Sequence, residues 1–447
     1  MNELSLGMYI SGLDRPWSQT PFPLQGFYLR DLDDLNKLKS LCNFVYIDTE
    51  KGRGPISSRL IRRDHPSLIA KAAVREPMGA SLSEPVAPLK IQRNLYHEII
   101  PLQKEIKKAR LLYLQINAAV ADISKQFEYL PPEDIALHDA QKLVGEMVDS
   151  IVRNPDAFTW LSRLQAKDVY LYSHVIRSAV WATLFGRHIG LPKRDLDVLA
   201  MGLLLKDVGR MKIDAAILAK RNRTVAEEQT YEHFIELGAD ILRKMPGVEP
   251  RVISVVKTHC ERLNGSGFPL HLAGDKIPLL GKIAGIVTFY DQITNPRGSR
   301  NPIAPSKAVA KLYELRNIQF QEELVVEFIR AIGLYPTGTL VELNSGEVGV
   351  VVEQNFERRL KPKVVVVYDA FKRKLNDFVL LDLSIDDKHK QALIDAGKKT
   401  RYEIEKIEIA RDLEPGSIDI DIDSIRDKYL THPEKTGLRA LLSKFTS

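Results

Sequence analysis

Apolar and polar positions change rhythm three times along this chain. Residues 1–64 carry short alternating runs, "LGMYISGL" and "FVYIDTE", broken by Gly and Pro clusters such as "DRPWSQTPFPLQG". That is the pattern of short strands separated by turns, a small β-containing domain. Within it "DLDDLNKLKSL" has helical spacing, with Asp31 or Asp33 as the expected N-cap. Residues 65–90 are rich in Pro, Ala and Ser without periodicity, as a linker is. From 91 to 127 apolar residues recur three and four apart, and Pro131 and Pro132 punctuate the run.

The second rhythm fills residues 134–333. Segments such as "DAQKLVGEMVDSIVRN", "DVYLYSHVIRSAVWATLFGRHIG", "LDVLAMGLLLKDVG" and "LLGKIAGIVTFYDQIT" have amphipathic or fully buried helical spacing. Gly190 followed by Leu-Pro predicts a helix stop, and Asp195 a cap for the next helix. The third rhythm has period two. "TGTLVELNSGEVGVVVEQN" and "PKVVVVYDAF" predict a β module over 334–385, with "NSG" as a hairpin turn. Residues 386–447 are charged and poor in core residues, which predicts a loosely packed tail. The expected organisation is therefore multidomain α+β. A small N-terminal domain (1–64) and a linker with a long helix (65–133) precede an all-α domain (134–333), the β module (334–385) and the tail (386–447).

Composition narrows the setting only slightly. The 447 residues exceed one ordinary core. A net charge of +6, from 64 basic and 58 acidic residues, permits an anionic ligand without demanding one. Two cysteines far apart, Cys42 and Cys260, argue against a disulfide framework. The N-terminus lacks the basic and apolar regions of a signal peptide, and the purest apolar run, "VLAMGLLL", is far short of the roughly 20 residues a bilayer needs. A cytoplasmic protein without membrane insertion is expected. The basic clusters "ERRLKPK" and "FKRK" flank one predicted strand but lack interleaved aromatics, so nucleic acid is not the expected partner. The 91–127 helix permits a homodimer.

The chemistry lies in the helical block. His174, the adjacent pair Lys206 and Asp207, His233, and "THCERLNGSGFP" (Thr258 to Pro269) are spread over several helices. Imidazoles and carboxylates arranged in this way frame metal-dependent phosphohydrolases, whose cations make hydroxide and clamp phosphate oxygens. Over roughly residues 140–330 the block resembles an HD-GYP domain, a subgroup of the HD phosphohydrolase superfamily. The resemblance is sharpest in "ERLNGSGFP" with the downstream "AGDKIPLLGKIAGIV". Residues 1–64 resemble the small domain that often precedes HD-GYP domains, and the β module resembles their usual C-terminal extension. The resemblance implies hydrolysis of cyclic di-GMP at a centre of two or three iron or manganese ions.

Taken position by position, His174, Asp207, His233 and His259 match metal ligands, and Glu261, Gly267 and Asp291 match motif positions. Lys206, Cys260 and Thr288 stand where the family has ligands. Arg210 replaces a phosphate-contacting lysine, Phe268 the tyrosine of Gly-Tyr-Pro, and Tyr170 the glutamate of three-metal members. Lys206 matters most. Unit charges about 4 Å apart interact by about 4 kcal/mol at an effective dielectric near 20, and a dication roughly doubles the repulsion. The expectation is that the Lys206 ammonium pairs with Asp207, with Arg210 assisting, as an internal cation.

On this reading the chain is a regulator in cyclic di-GMP signalling, an impaired enzyme that binds the nucleotide or a diguanylate cyclase-type partner. Lys206, Arg210 and the loop Asn264, Gly265, Gly267, Phe268, Pro269 would bind. His174, Asp207, His233 and His259 would form a vestigial metal site, with no cofactor or one iron or manganese ion at reduced occupancy. The alternatives are a phosphodiesterase with an altered metal site and a pure protein–protein scaffold.

Overall fold

Prolines and capping side chains set most helix starts, so the architecture follows from local chemistry before packing is considered. The computed structural model describes, with short breaks, residues 4–49, 89–162, 170–296, 302–386 and 407–429. Most of the linker expected at 65–90, the capping candidate Asp31 and the basic C-terminal end lie outside the described residues. The chain divides into two compact units, Met1–Ser81 with Asn355–Lys361, and Leu82–Gln354 with Pro362–Ser447.

The first unit holds β1 (Tyr9–Leu13), β2 (Phe27–Tyr28), α1 (Leu32–Leu41) and β3 (Val45–Asp48). The strands form an antiparallel sheet in the order β2-β1-β3. Met8, Ile10, Leu29 and Leu38 meet in its core. Asp33 is not the N-cap of α1: it lies inside the first turn and pairs with Lys37 one turn on.

The second unit opens with α2 (Leu102–Tyr129), α3 (His138–Arg153), α4 (Pro155–Ser162), α5 (Tyr170–Ile189) and α6 (Lys193–Leu205). After these come α7 (Ala215–Ala219), α8 (Val225–Glu232), α9 (Phe234–Lys244) and α10 (Pro250–Thr258). Next are α11 (Leu279–Thr294), α12 (Pro305–Glu314) and α13 (Glu322–Ile332). The long helix starts at 102 rather than 91, because Pro101 sits in an extended conformation at its N-cap. Asp195 is likewise not a cap. Pro192 occupies that position in α6, and Asp195 in the first turn pairs with Arg251 at 2.6 Å. Thr224 and Glu227 start α8 with a reciprocal capping box.

Helices α5 and α6 carry fully buried faces, among them Ile176, Val180, Leu199 and Leu203. Each such side chain contributes about 1.5–3 kcal/mol of burial free energy. One crossing bears directly on the site. A Cβ on Gly209 would overlap the Phe234 carbonyl oxygen and the Gly238 amide nitrogen. Only glycine lets the 3-10 turn Val208–Lys212 lie this close to α9.

Strands β4 (Leu340–Leu343), β5 (Val348–Glu353), β6 (Lys363–Tyr368), β7 (Lys374–Asp382) and β8 (Ile409–Asp412) form an antiparallel sheet in the order β7-β6-β5-β4-β8. Thus four residues of the expected loose tail complete the sheet as β8, pairing with β4. The sheet is tied to the helices of its unit. The Trp160 indole N–H donates to the Val352 carbonyl at 2.7 Å, and the Thr337 hydroxyl donates to Asp156 at 2.8 Å. The basic clusters around β6 are engaged in surface ion pairs, Lys363 with Glu353, Lys372 with Glu342 and Arg373 with Asp369. No helix among the described residues is long and apolar enough to cross a membrane.

Candidate functional site

Four helix ends or faces bring the site together. His174 lies on α5, Lys206 caps the end of α6, Asp207 opens the following 3-10 turn, and His259 caps α10. Asp207 is the hub. Its Oδ2 lies 2.6 Å from His174 Nε2 and 2.8 Å from Lys206 Nζ. Its Oδ1 lies 2.6 Å from Arg210 Nε. That last contact is a close charge pair rather than an aligned hydrogen bond, since neither atom meets hydrogen-bond geometry. Lys206 is only 3% exposed.

The electrostatics follow from this packing. Burial by itself raises the Asp207 carboxyl, but Arg210, Lys206 and His174 outweigh it and hold the group well below the usual carboxylate range. Arg210 gains from the same pairing, which overcomes its own burial. Its guanidinium lies over the Phe234 ring at 4.5 Å and near Tyr231 at 5.2 Å. Burial, with Lys206 close by, pushes the His259 imidazole down to about 3. His259 is thus neutral, and its Nδ1 donates to the Val256 carbonyl at 2.8 Å, because a carbonyl can only accept. Burial pushes the Cys260 thiol up to about 11, which keeps its proton on.

The structure does not bring every expected residue to this hub. His233 stands at the junction of α8 and α9, 56% exposed, with Nδ1 2.6 Å from Glu236. No hydrogen bond or ion pair joins it to Asp207, His174 or His259. Thr288 is buried on α11 with its Oγ1 lacking a hydrogen-bond partner. Asp291, one turn further on, is held by Arg177, whose Nε donates to it at 2.7 Å in a fully buried pair. Sequence reasoning passed over Arg177. The available signal was its place one turn after His174 on a helix rich in apolar residues.

The loop is built tightly. Glu261 accepts from the backbone N–H groups of Leu270 and Leu272, at 2.8 and 3.0 Å. Asn264 Oδ1 accepts from the amide and the hydroxyl of Ser266. Gly265 has a φ of +76°. A Cβ on Gly267 would run into the Cys260 carbonyl and the backbone at 261 and 262. Phe268 packs with Phe234, Ile213 and Cys260, and the peptide bond to Pro269 is cis.

These residues do not fit a dication on Asp207. Both carboxylate oxygens already face the chain's own cations, and a metal there would lie against the Lys206 ammonium. Among the described residues, no three His, Cys, Asp or Glu side chains gather closely enough to hold a metal ion.

A bundle with histidines and an aspartate at helix ends is the frame of an HD-type phosphohydrolase. Profiles bear this out. An "HD domain" profile matches residues 157–324, a "KOW domain associated with HD domain" matches 340–402, and a domain of unknown function, DUF3391, matches 1–136. The chain is 30% identical to a cyclic di-GMP phosphodiesterase of Pseudomonas aeruginosa, over 83% of this chain and 84% of that one. It is 29% identical to the 3'3'-cGAMP-specific phosphodiesterase 2 of Vibrio cholerae, over 34% of this chain and 30% of that one. An HD-GYP-type protein of Bdellovibrio bacteriovorus superposes with a TM-score of 0.43 at 15% identity, covering 51% of this chain and 71% of that one. The chain belongs to the HD-GYP family of cyclic di-GMP signalling.

Proposed function

We propose that this chain regulates cyclic di-GMP signalling by binding the nucleotide, with the family's metal centre replaced by its own cations. The observation that carries this is the Lys206 ammonium 2.8 Å from Asp207 Oδ2, with Arg210 against the other oxygen. A protein-supplied cation satisfies the buried carboxylate without a metal, so the fold no longer depends on one. It also removes the means of making hydroxide and clamping both reacting oxygens. The neighbourhood favours an anion. Lys206, Arg210 and Arg177 bring three positive charges against two from Asp207 and Asp291, and His259 is neutral. The nucleotide itself is inferred from the relatives.

The second reading, a working phosphodiesterase, is favoured by the 30% identity to such an enzyme over most of both chains. One preparation separates the readings. The protein, grown with iron and manganese supplied, is assayed for metal by elemental mass spectrometry, for cyclic di-GMP binding by calorimetry, and for hydrolysis by chromatography. Substoichiometric metal, saturable binding and no metal-dependent turnover are expected. A full metal complement with turnover would establish the enzyme, and no nucleotide binding at all would leave a scaffold.

A further inference from the structure

A cavity lies along α6, apart from the Asp207 cluster. Between α3, α6 and α10 there is a cavity of about 220 Å³, walled by Leu137, Val144, Val198, Met201, Leu205 and Val252. No member of the Asp207 cluster lines it. Its one acidic wall residue without a basic partner is Asp197. The other two charged wall residues, Glu249 and Arg194, pair with each other at 3.2 Å, and nearby Asp149 pairs with Lys193 and Asp195 with Arg251, each at 2.6 Å. Asp197 makes no such pair, and its Oδ1 is buried without a hydrogen-bond partner. A buried, unsatisfied carboxylate oxygen in a native fold calls for an explanation, because it loses its hydration without gaining a partner.

We propose that this cavity binds a small primary arylalkylamine, the ring held by the apolar walls and the ammonium paired with Asp197. Size sets the body of the ligand. A dry cavity of about 150 Å³ lined by aliphatic side chains holds benzene, so this larger one takes a ring with a short chain. Charge sets its head. An ammonium in the cavity supplies the counter-charge that the Asp197 carboxylate lacks, whereas a carboxylate ligand would set like charges together. Burial pushes the Asp197 carboxyl up against the pull of Lys193, as it does for a carboxylate short of counter-charge. The walls also give the site reach. Met201 and Leu205 precede Lys206 on α6, and Val252 lies on the helix that His259 caps.

Calorimetry on the full chain tests this with phenethylammonium and its neutral counterpart, 2-phenylethanol. The amine is expected to bind saturably, one per chain, and at least about tenfold tighter than the alcohol. In Asp197→Asn the two should bind equally. A second readout does not depend on that variant folding. In methyl-labelled protein, the Met201 methionine signal should move on titration with the amine while that of Met8 stays still. Absence of saturable amine binding, equal affinity for amine and alcohol in the wild type, or a Met201 signal unmoved at saturation would each overturn the proposal.

Discussion

Replacing Lys206 with methionine removes the ammonium and keeps most of the aliphatic stem. The pair it breaks lies at 2.8 Å with lysine 3% and aspartate 11% exposed. At an effective dielectric near 20, unit charges at that distance attract by about 6 kcal/mol. Methionine also escapes the several kcal/mol that burying an ammonium costs, and breaking one partner of a buried pair typically destabilises by about 3–5 kcal/mol. Asp207 here keeps Arg210 and His174. The expected net loss for Lys206→Met is therefore about 2–3 kcal/mol. At about 2–4 °C per kcal/mol for a domain of this order, Tm should fall by about 4–12 °C. The assay is a melt followed by circular dichroism at neutral pH with a chelator present, so that no metal contributes. A variant melting within about 1 °C of the wild type, or above it, would refute the view that Lys206 holds the Asp207 site together.

Three further expectations follow from other contacts in the fold. Glu327 on α13 is buried among Arg93, His188 and Arg330. Burial raises its carboxyl, but the hydrogen bonds from Arg93 and His188 and the charge of Arg330 win and hold it well below the usual range. A depressed folded pKa stabilises above the unfolded value, about 4.3 for glutamate, and that stability is lost as pH falls toward the folded value. Glu327→Gln should thus lower the urea midpoint strongly at pH 7, with the difference from wild type shrinking as pH drops below about 4. A difference independent of pH would contradict this. Gly209→Ala should cost about 1–3 kcal/mol or fail to fold, because its Cβ meets the backbone of α9. Gly145→Ala on α3, with open space around the new methyl, should stabilise by about 0.5–1 kcal/mol. Chemical denaturation reads both, and equal effects would remove the steric argument.

Much of this architecture was legible locally. Helical spacing over 134–333 and alternation over 334–385 report which face of each element is buried, and burial is a local property of a periodic element. The adjacency of Lys206 and Asp207 is likewise written in the chain, and its ion pair needs no distant partner. Cap residues misled where proline competed. Pro192 took the N-cap position of α6, which left Asp195 inside the first turn rather than in the cap role assigned to it.

The rest required the third dimension. Arg177 and Asp291 are 114 positions apart and only the packing of α5 on α11 makes them a buried pair. His233 has the family's spacing, yet the turn between α8 and α9 sends it to Glu236. Strand β8 has too few residues to show a period, and pairing with β4 makes it a strand. Asp197 looks like any helix-surface acid until three helices close a cavity beside it. Sequence by itself determined most of the elements, the family and the charge placed beside Asp207, because those depend on neighbours along the chain. Which charges face each other across helices, and where space is left between them, was decided by tertiary packing, because Coulomb and packing energies depend on distance through space.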